Sequence, residues 1–193
     1  MGQRDFYRPS RAEQAAAAGK TIPDVAAPGL RVLFCGINPG LYSAAVGCHF
    51  ARPGNRFWPA LYASGFTSRL LSPFEQDLLL DLGLGITNVV PRSTARADEL
   101  STDELIAGGR ILTAKLETLR PSWLAVVGVT AYRTAFGHPG AVVGRQDTTI
   151  GGTAVWVLPN PSGLNAHWTA PQLTSAFSEL REAVEAHSPT SQP

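Results

Sequence analysis

Four short apolar runs alternate along the chain with longer segments whose apolar positions recur at helical spacing. The runs have the length and composition of strands buried on both faces. They are Val32–Cys35, Gly85–Val90, Trp123–Gly128 and Ala154–Leu158. Strands that alternate with helices predict an α/β fold with a mostly parallel sheet.

Capping boxes and apolar spacing predict the helices. Ser72 and Glu75 form one capping box, with Pro73 at the first helical position, and this predicts a helix through residues 78–82. A second box, Ser101–Glu104, opens a helix whose core positions are Leu105, Leu112, Leu116 and Leu119. The last helix begins near Thr169, and a hairpin turn is predicted over Thr148–Thr153, before the last strand.

The first strand leads directly into the tight turn Gly36-Ile37-Asn38-Pro39-Gly40. Gly36 and Gly40 are expected where the backbone closely approaches another group, and Pro39 biases Asn38 toward an extended conformation. A loop at the carboxyl end of a central strand is where open α/β sheets bind ligands. The side chain of Asn38 therefore either satisfies its own turn, as many loop asparagines do, or faces a ligand.

Two further loops carry unusual residues. Residues 41–53 lack clear periodicity, which predicts a functional loop in which Phe50 either anchors the loop to the core or contacts a ligand. Residues 159–165 leave the last strand, and Leu164 is an isolated apolar residue on this polar loop. Leu164 either folds back onto the core or is a wedge that enters a base stack.

Composition narrows the possibilities. With 193 residues, 44% of them hydrophobic and 16% charged, the chain is expected to form one globular domain. No apolar run approaches the ~18 residues of a membrane span, and two cysteines indicate no disulfide framework, so a cytoplasmic location is expected. The net charge of +1 by itself favours small-molecule ligands and predicts few phosphate contacts.

The two ends of the chain are polar. Residues 1–26 contain Arg4, Arg8, Arg11 and Lys20 and few apolar residues, so they are expected to form a flexible basic extension. A weak DNA-tethering arm is the alternative for this segment. Residues 187–193 are expected to be a polar tail.

Several common chemistries lack their sequence signals. Neither a P-loop nor a dinucleotide-binding glycine motif follows the first strand. The histidines have no metal-ligand spacing, and Ser162 does not lie in a nucleophile elbow. Asn38 and the two loops remain as the candidate chemistry.

Five motifs in order support a family resemblance. They are Gly36–Gly40, Phe50-Ala51 with Asn55–Trp58, Gly85–Asn88, Ala107–Arg110 and Leu158–Leu164. Together they resemble the mismatch-specific uracil/thymine-DNA glycosylases, a branch of the uracil-DNA glycosylase superfamily. The resemblance implies an α/β/α sandwich around a four-stranded sheet, here residues 27–186. It also implies a monofunctional enzyme that flips uracil from G-mismatched duplex DNA and hydrolyses its N-glycosidic bond.

The resemblance implies a role for each matching residue. Asn38 would position the attacking water, and Phe50 would stack on the flipped base in a pocket completed by Gly36, Ile37 and Asn88. In the second loop, Pro161, Ser162, Gly163, Leu164 and Asn165 would contact DNA, with Leu164 filling the gap left by the base. No metal or cofactor is implied, and the expected partner is double-stranded DNA with a G:U or G:T mismatch, bound by a monomer.

The residue at position 40 bears on the substrate. Strictly uracil-selective relatives carry tyrosine at this turn position, and Gly40 would leave room for mispaired thymine or exocyclic-adduct pyrimidines. Three departures from the family pattern stand out. Ala166 and His167 follow the wedge where some relatives have arginine, and Asn88 lies at a position that varies between lysine and asparagine.

Three alternatives stay open. The chain could belong to the same superfamily but act mainly on a deaminated purine or on single-stranded uracil. It could be a non-catalytic module that binds damaged bases. It could also be a small-nucleotide binding domain that makes no contact with DNA.

Overall fold

A central sheet of five strands organises the molecule, and its order is β2-β1-β3-β5-β4. The computed structural model describes residues 7–163 and 167–187. The strands are β1 Val32–Gly36, β2 Leu84–Asn88, β3 Trp123–Val127, β4 Gly144–Ile150 and β5 Thr153–Leu158. Strands β2, β1, β3 and β5 are parallel to one another, whereas the edge strand β4 is antiparallel to β5. The buried strand at the start of the chain is therefore an inner strand of a parallel sheet, as predicted.

The expected count of four strands is wrong, because β4 adds a fifth at the edge of the sheet. Strands β4 and β5 form the predicted hairpin, and its turn residues Gly151 and Gly152 have φ values of +55° and +80°. Both values suit a two-residue hairpin turn. Strand β4 is mostly exposed and its register shifts between Arg145 and Thr149. A polar, exposed edge strand gives no apolar run to detect.

Helices cover both faces of the sheet. They are α1 Arg11–Ala15, α2 Leu41–Val46, α3 Phe57–Ala63, α4 Thr102–Leu119, α5 Val129–Phe136 and α6 Ala170–His187. Alternate residues of β1 point to opposite faces. Phe34 packs with Phe57 of α3 and with α6, whereas Leu33 packs in a second cluster with Leu112 of α4 and Tyr132 of α5. The predicted three-layer α/β/α sandwich is confirmed.

Both predicted capping boxes are present, but the two segments differ. Ser101 and Glu104 cap the long α-helix α4. Ser72 and Glu75 cap the segment Pro73–Leu82, which forms 3-10 turns in place of the predicted helix and is kinked at Glu75, with φ −101° and ψ 16°. Residues 41–53 are also not a continuous loop, since α2 occupies Leu41–Val46.

Residues 7–26 pack against the domain, in contrast to the flexible extension expected from the sequence. Ser10 and Glu13 cap the short helix α1. Ala17 and Ile22 are buried in a small cluster with Ala44. Val25 pairs with Ile86 of β2 as an antiparallel bridge. Few apolar residues were enough, because Ala17, Ile22 and Val25 are each buried against an existing surface.

Candidate active site

The carboxyl ends of the parallel strands open onto a cavity of about 400 Å³. The loop after β1, the end of β2 and the segment after β5 all contribute to its wall. Of the residues predicted from the sequence, the lining includes Ile37, Asn38, Gly40, Phe50, Asn88 and Ser162. Segments far apart in sequence therefore meet at one opening, where open α/β sheets bind ligands.

The side chain of Asn38 is fixed by the segment after β2. Its Nδ2 donates to the carbonyl oxygen of Arg92 at 3.0 Å and to Oγ1 of Thr94 at 2.7 Å. A carbonyl oxygen can only accept, so the amide must present its NH₂ group to that segment. Thr94 in turn donates to the carbonyl oxygen of Arg96 at 2.7 Å. Asn38 Oδ1 is left as an acceptor on the cavity wall, and the interpretation of Asn38 as satisfying its own turn does not hold.

Ionic contacts and close packing hold residues 92–94 in place. Arg92 donates to both carboxylate oxygens of Glu104, with Nη2 to Oε2 at 2.9 Å. The hydrogen bond from Arg92 and the backbone N–H of Ser101 lower the pKa of Glu104 to about 2. A Cβ at Gly108 would lie 2.3 Å from the carbonyl oxygen of Val89. The glycine motif of α4 thus lets the helix approach the end of β2.

Phe50 presents an aromatic wall beside Asn38. Its ring stacks on Phe57 with centroids 4.1 Å apart and an interplanar angle of 20°. Phe50 is half-buried and lines the cavity, so it is both an anchor on the core and part of the site. Gly36 lies behind this wall: a Cβ there would lie 2.6 Å from Asn88 Oδ1 and 3.2 Å from Phe50 Cζ, so a larger residue would displace the side chains of Asn88 and Phe50.

Gly40 differs from Gly36 in what surrounds it. Its backbone has φ −75° and ψ 159°, which any residue adopts, and a Cβ there would meet nothing within 4 Å. The backbone at Gly40 does approach another segment, since it pairs with Thr94 as a parallel bridge, but no contact at the Cβ position requires glycine there. The missing side chain leaves open space on the cavity wall.

Asn88 ends β2 opposite Gly36, its register partner on β1. Its Nδ2 lies 3.3 Å from Nδ1 of His49, and Nε2 of His49 lies 3.0 Å from the carbonyl oxygen of Pro23. His49 is 2% exposed, and burial is the largest effect that lowers the pKa of its ring. Sequence inspection missed His49, although it directly precedes Phe50.

Arg56 holds the second loop. Its backbone N–H donates to the carbonyl oxygen of Pro161 at 2.9 Å, and its guanidinium donates to the carbonyl oxygens of Ser162 and Trp168. A Cβ on Gly163 would lie 2.6 Å from the carbonyl oxygen of Gly54. Leu164, Asn165 and Ala166 lie outside the described residues. Arg56 therefore fixes the backbone on both sides of the predicted wedge.

Among the described residues, the wall of the cavity carries little unpaired positive charge. Arg52 is exposed beside the cavity, and the side chain of Arg96 pairs with Asp98. Within the described parts of the chain, no three potential metal-ligating side chains converge. Helices in those same parts are too short or too polar to cross a membrane.

The arrangement combines a fixed neutral amide, an aromatic face and a second amide at one opening. Such a site can stack a planar base, read its edge and hold a water molecule, which are the needs of an enzyme that acts on a flipped nucleotide. Residues 23–185 match the family model described as the Uracil DNA glycosylase superfamily. The match covers most of the 193-residue chain and includes every site residue described above. The chain therefore belongs to the uracil DNA glycosylase superfamily and is a DNA glycosylase, a hydrolase of base excision repair.

Proposed function

We propose that this protein is a monofunctional glycosylase that removes uracil from G-mismatched duplex DNA and leaves an abasic site. Mispaired thymine and exocyclic-adduct pyrimidines are further substrates in this proposal. The observation that carries it is the orientation of Asn38, which lines the cavity and whose NH₂ group is engaged by Arg92 and Thr94, so that Oδ1 takes no part in these contacts.

The flipped base would stack on Phe50. A base that leaves the duplex loses its stacking partners, and an aromatic ring replaces about 1–3 kcal/mol of that interaction. The Phe50 ring is supported by Phe57 on one side, so it presents a rigid surface rather than a mobile one. Asn88 at the cavity wall supplies hydrogen-bonding groups for the edge of the base.

Asn38 would hold the attacking water. Oδ1 accepts a hydrogen bond from this water, whose oxygen forms a bond to the anomeric carbon as the bond to the base nitrogen breaks. The electron pair of that bond leaves with the base, and the proton of the water ends on the base or in solvent. Because an amide is neutral, Asn38 orients the water but neither takes its proton nor offsets the positive charge on the sugar.

This chemistry predicts a slow enzyme that relies on stabilising the departing base. Preorganised donors around the base oxygens are the main source of such stabilisation. Asn88 Nδ2 has one N–H engaged by His49, which leaves its second N–H for the base. Weak pairing of uracil or thymine with guanine lowers the cost of flipping and adds to the selectivity.

The second loop would enter the DNA. In this proposal Leu164 fills the gap left by the flipped base, and Gly163 and Asn165 face the widowed guanine through backbone groups. Arg56 supports the loop by binding Ser162 and Trp168 on either side of it. The overall charge of +1, and the few unpaired cations among the described residues at the opening, predict a shallow dependence of DNA affinity on salt.

A panel of single-lesion oligonucleotides tests the proposal. Uracil opposite guanine, thymine opposite guanine, uracil opposite adenine, single-stranded uracil, an exocyclic cytosine adduct and a deaminated purine are compared in single-turnover base release. Fastest release from uracil opposite guanine supports the proposal. Preference for the deaminated purine or the single strand contradicts the substrate assignment, and binding without release of any base contradicts catalysis.

A further inference from the structure

His49 is buried beside the candidate site and is held at four points. Its backbone N–H donates to Oε1 of Gln76 at 2.8 Å, and its carbonyl oxygen accepts from Nε1 of Trp58 at 3.1 Å. The two ring nitrogens contact Pro23 and Asn88. The backbone contacts fix the position of the residue, and the two ring contacts define the orientation of the imidazole.

The contacts of the ring determine its tautomer. The partner of Nε2 is the carbonyl oxygen of Pro23, which can only accept, so Nε2 carries the proton. In the neutral ring Nδ1 is then an acceptor. Asn88 must therefore turn its NH₂ group, and not its oxygen, toward His49.

Burial of the ring keeps it neutral. Desolvation lowers the pKa of His49, and Lys115 lowers it further, whereas the Pro23 hydrogen bond and Asp24 raise it. Asp24 and Lys115 are the charged groups that act on the ring, and they form an ion pair with each other.

The carbonyl of Pro23 belongs to a strap, residues 22–25, that is fixed along the edge of β2. Val25 and Ile86 exchange two backbone hydrogen bonds of 2.9 and 2.8 Å. Asp24 Oδ1 accepts from Thr87 Oγ1 at 2.8 Å, and the carboxylate of Asp24 also pairs with Lys115. Two successive strap residues are thus tied to two successive residues of β2, so the position of the carbonyl is set by the sheet.

The Asn88 amide consequently has a defined donor side and a defined acceptor side. Nδ2 lies on the His49 side, and Oδ1 lies over Gly36, where a Cβ would be 2.6 Å from it. Uracil and thymine offer an accepting 4-oxygen next to a donating N3–H, whereas cytosine offers a donating 4-amino group next to an accepting N3. An amide held in one orientation matches the first pattern and opposes the second.

We propose that His49 is a positioning residue: the strap carbonyl of Pro23 fixes its tautomer, and His49 thereby fixes Asn88 to accept uracil and thymine and reject cytosine. The inference rests on the proposed function, since it concerns the base that the same cavity binds. Rejection of cytosine matters because the undamaged partner of guanine would otherwise enter the same cavity. The strap at the N-terminal side of the domain is in this way part of base selection.

Two substitutions at position 49 separate positioning from simple packing. His49→Leu keeps an apolar group of moderate size but removes the acceptor. His49→Asn restores an acceptor near the position of Nδ1, so it is the conservative control. Base release from duplexes with uracil or cytosine opposite guanine is measured for the full chain under single-turnover conditions, and the ratio of the two rates is the readout.

The wild type should release uracil far faster than cytosine. His49→Leu should reduce this ratio about fivefold, because one hydrogen bond that fixes the amide is lost, and His49→Asn should restore most of it. In an Asn88→Ala background, His49→Leu should change the ratio no further, which identifies Asn88 as the intermediary. Equal losses on both bases in His49→Leu, with an unchanged ratio, would overturn the inference while leaving the glycosylase function intact.

Nitrogen NMR of the wild-type ring gives an independent readout that also serves if the variants fold poorly. The expected result at pH 7.5 is a proton on Nε2 and none on Nδ1. A proton on Nδ1 would overturn the inference even if uracil is released. Absence of base release from every duplex by the wild type would instead contradict the proposed function.

Discussion

Nδ2 of Asn38 donates to Oγ1 of Thr94 at 2.7 Å, across 56 residues of sequence. Thr94 is 3% exposed, and its hydroxyl in turn donates a hydrogen bond to the carbonyl oxygen of Arg96. The side chain proposed to hold water is thus oriented by a buried hydroxyl outside the glycine turn. This contact makes the segment after β2 part of the active site rather than a connector.

Thr94→Val should lower the single-turnover rate on uracil opposite guanine by about fivefold, because a hydrogen bond worth about 1 kcal/mol no longer fixes Asn38. Affinity for the duplex should change little, since Thr94 is buried. Thr94→Ser keeps the hydroxyl and is the matched control. Equal rates for the valine and serine variants would show that the Asn38–Thr94 contact does not orient the amide during the reaction.

Gly40→Tyr should narrow the substrate range. The backbone at Gly40 accepts any residue, and a side chain there enters open space on the cavity wall. A ring at this position should exclude a 5-methyl group. Release of thymine relative to uracil should therefore fall at least about tenfold, which is the discrimination that a pocket achieves for a difference of one methyl-sized group. Gly40→Ala should leave the ratio nearly unchanged. An unaltered thymine-to-uracil ratio in the tyrosine variant would contradict the role of Gly40 in selecting substrates.

Arg56→Lys should weaken binding to mismatched duplex DNA by about tenfold or more, because lysine cannot bridge the carbonyl oxygens of Ser162 and Trp168 as the guanidinium fork does. Fluorescence anisotropy with a labelled duplex measures the change. Arg52→Lys is the control, because Arg52 is exposed and the same substitution there also keeps the positive charge. Similar affinities for both variants would mean that the loop keeps its position without Arg56.

The stability of the protein should decrease below pH 6.5 because of His49. Its pKa is lowered from 6.5 in the folded chain, so the unfolded chain binds the proton more tightly. The free energy of unfolding should therefore fall as the pH drops from 6.5 toward the lowered folded pKa. Urea unfolding at pH 7.5 and 5.5 should show a smaller decrease for His49→Leu than for the wild type. An identical decrease in both would assign the effect to another group.

The pKa of Glu75 is shifted in a different pH range, so this carboxylate does not obscure the comparison. The hydrogen bond with Arg69 is the largest effect that lowers the pKa of Glu75, to about 2 from 4.5. Its contribution is present above pH 4.5 and is lost as the pH falls from there toward 2. Loss of stability between pH 7.5 and 5.5 thus reports on the histidine and not on this pair.

The sequence predicted the features that depend on local pattern. Buried parallel strands appear as apolar runs, and the capping boxes at Ser72 and Ser101 and the hairpin at Gly151-Gly152 have their own signals. Strand β4 was missed because an edge strand exposes its side chains and shows no apolar run. Helix α2 was missed because its N-cap residue is Gly40, which provides no side-chain cap.

Only part of the site was predicted, again because sequence patterns reveal local features. Asn38 and Phe50 are next to the glycines and aromatic residues that mark their loops, so motif spacing reveals them. Thr94 and His49 act through partners 56 and 39 residues away, and no local pattern encodes such contacts. Arg56 lies within the Asn55–Trp58 motif, but its contacts with Ser162 and Trp168 depend on the folded positions of two distant segments.

The central claim is that Asn38 positions the water that cleaves the glycosidic bond. Single-turnover release of uracil from a duplex with uracil opposite guanine, by the wild type and by Asn38→Ala, tests it most directly. The wild type should release uracil, and Asn38→Ala should be slower by at least about 100-fold, since a misplaced nucleophile loses that much rate. Duplex affinity should be retained, because the side chain lies inside the cavity. Equal rates for the two proteins, or binding by both with release by neither, would contradict the claim.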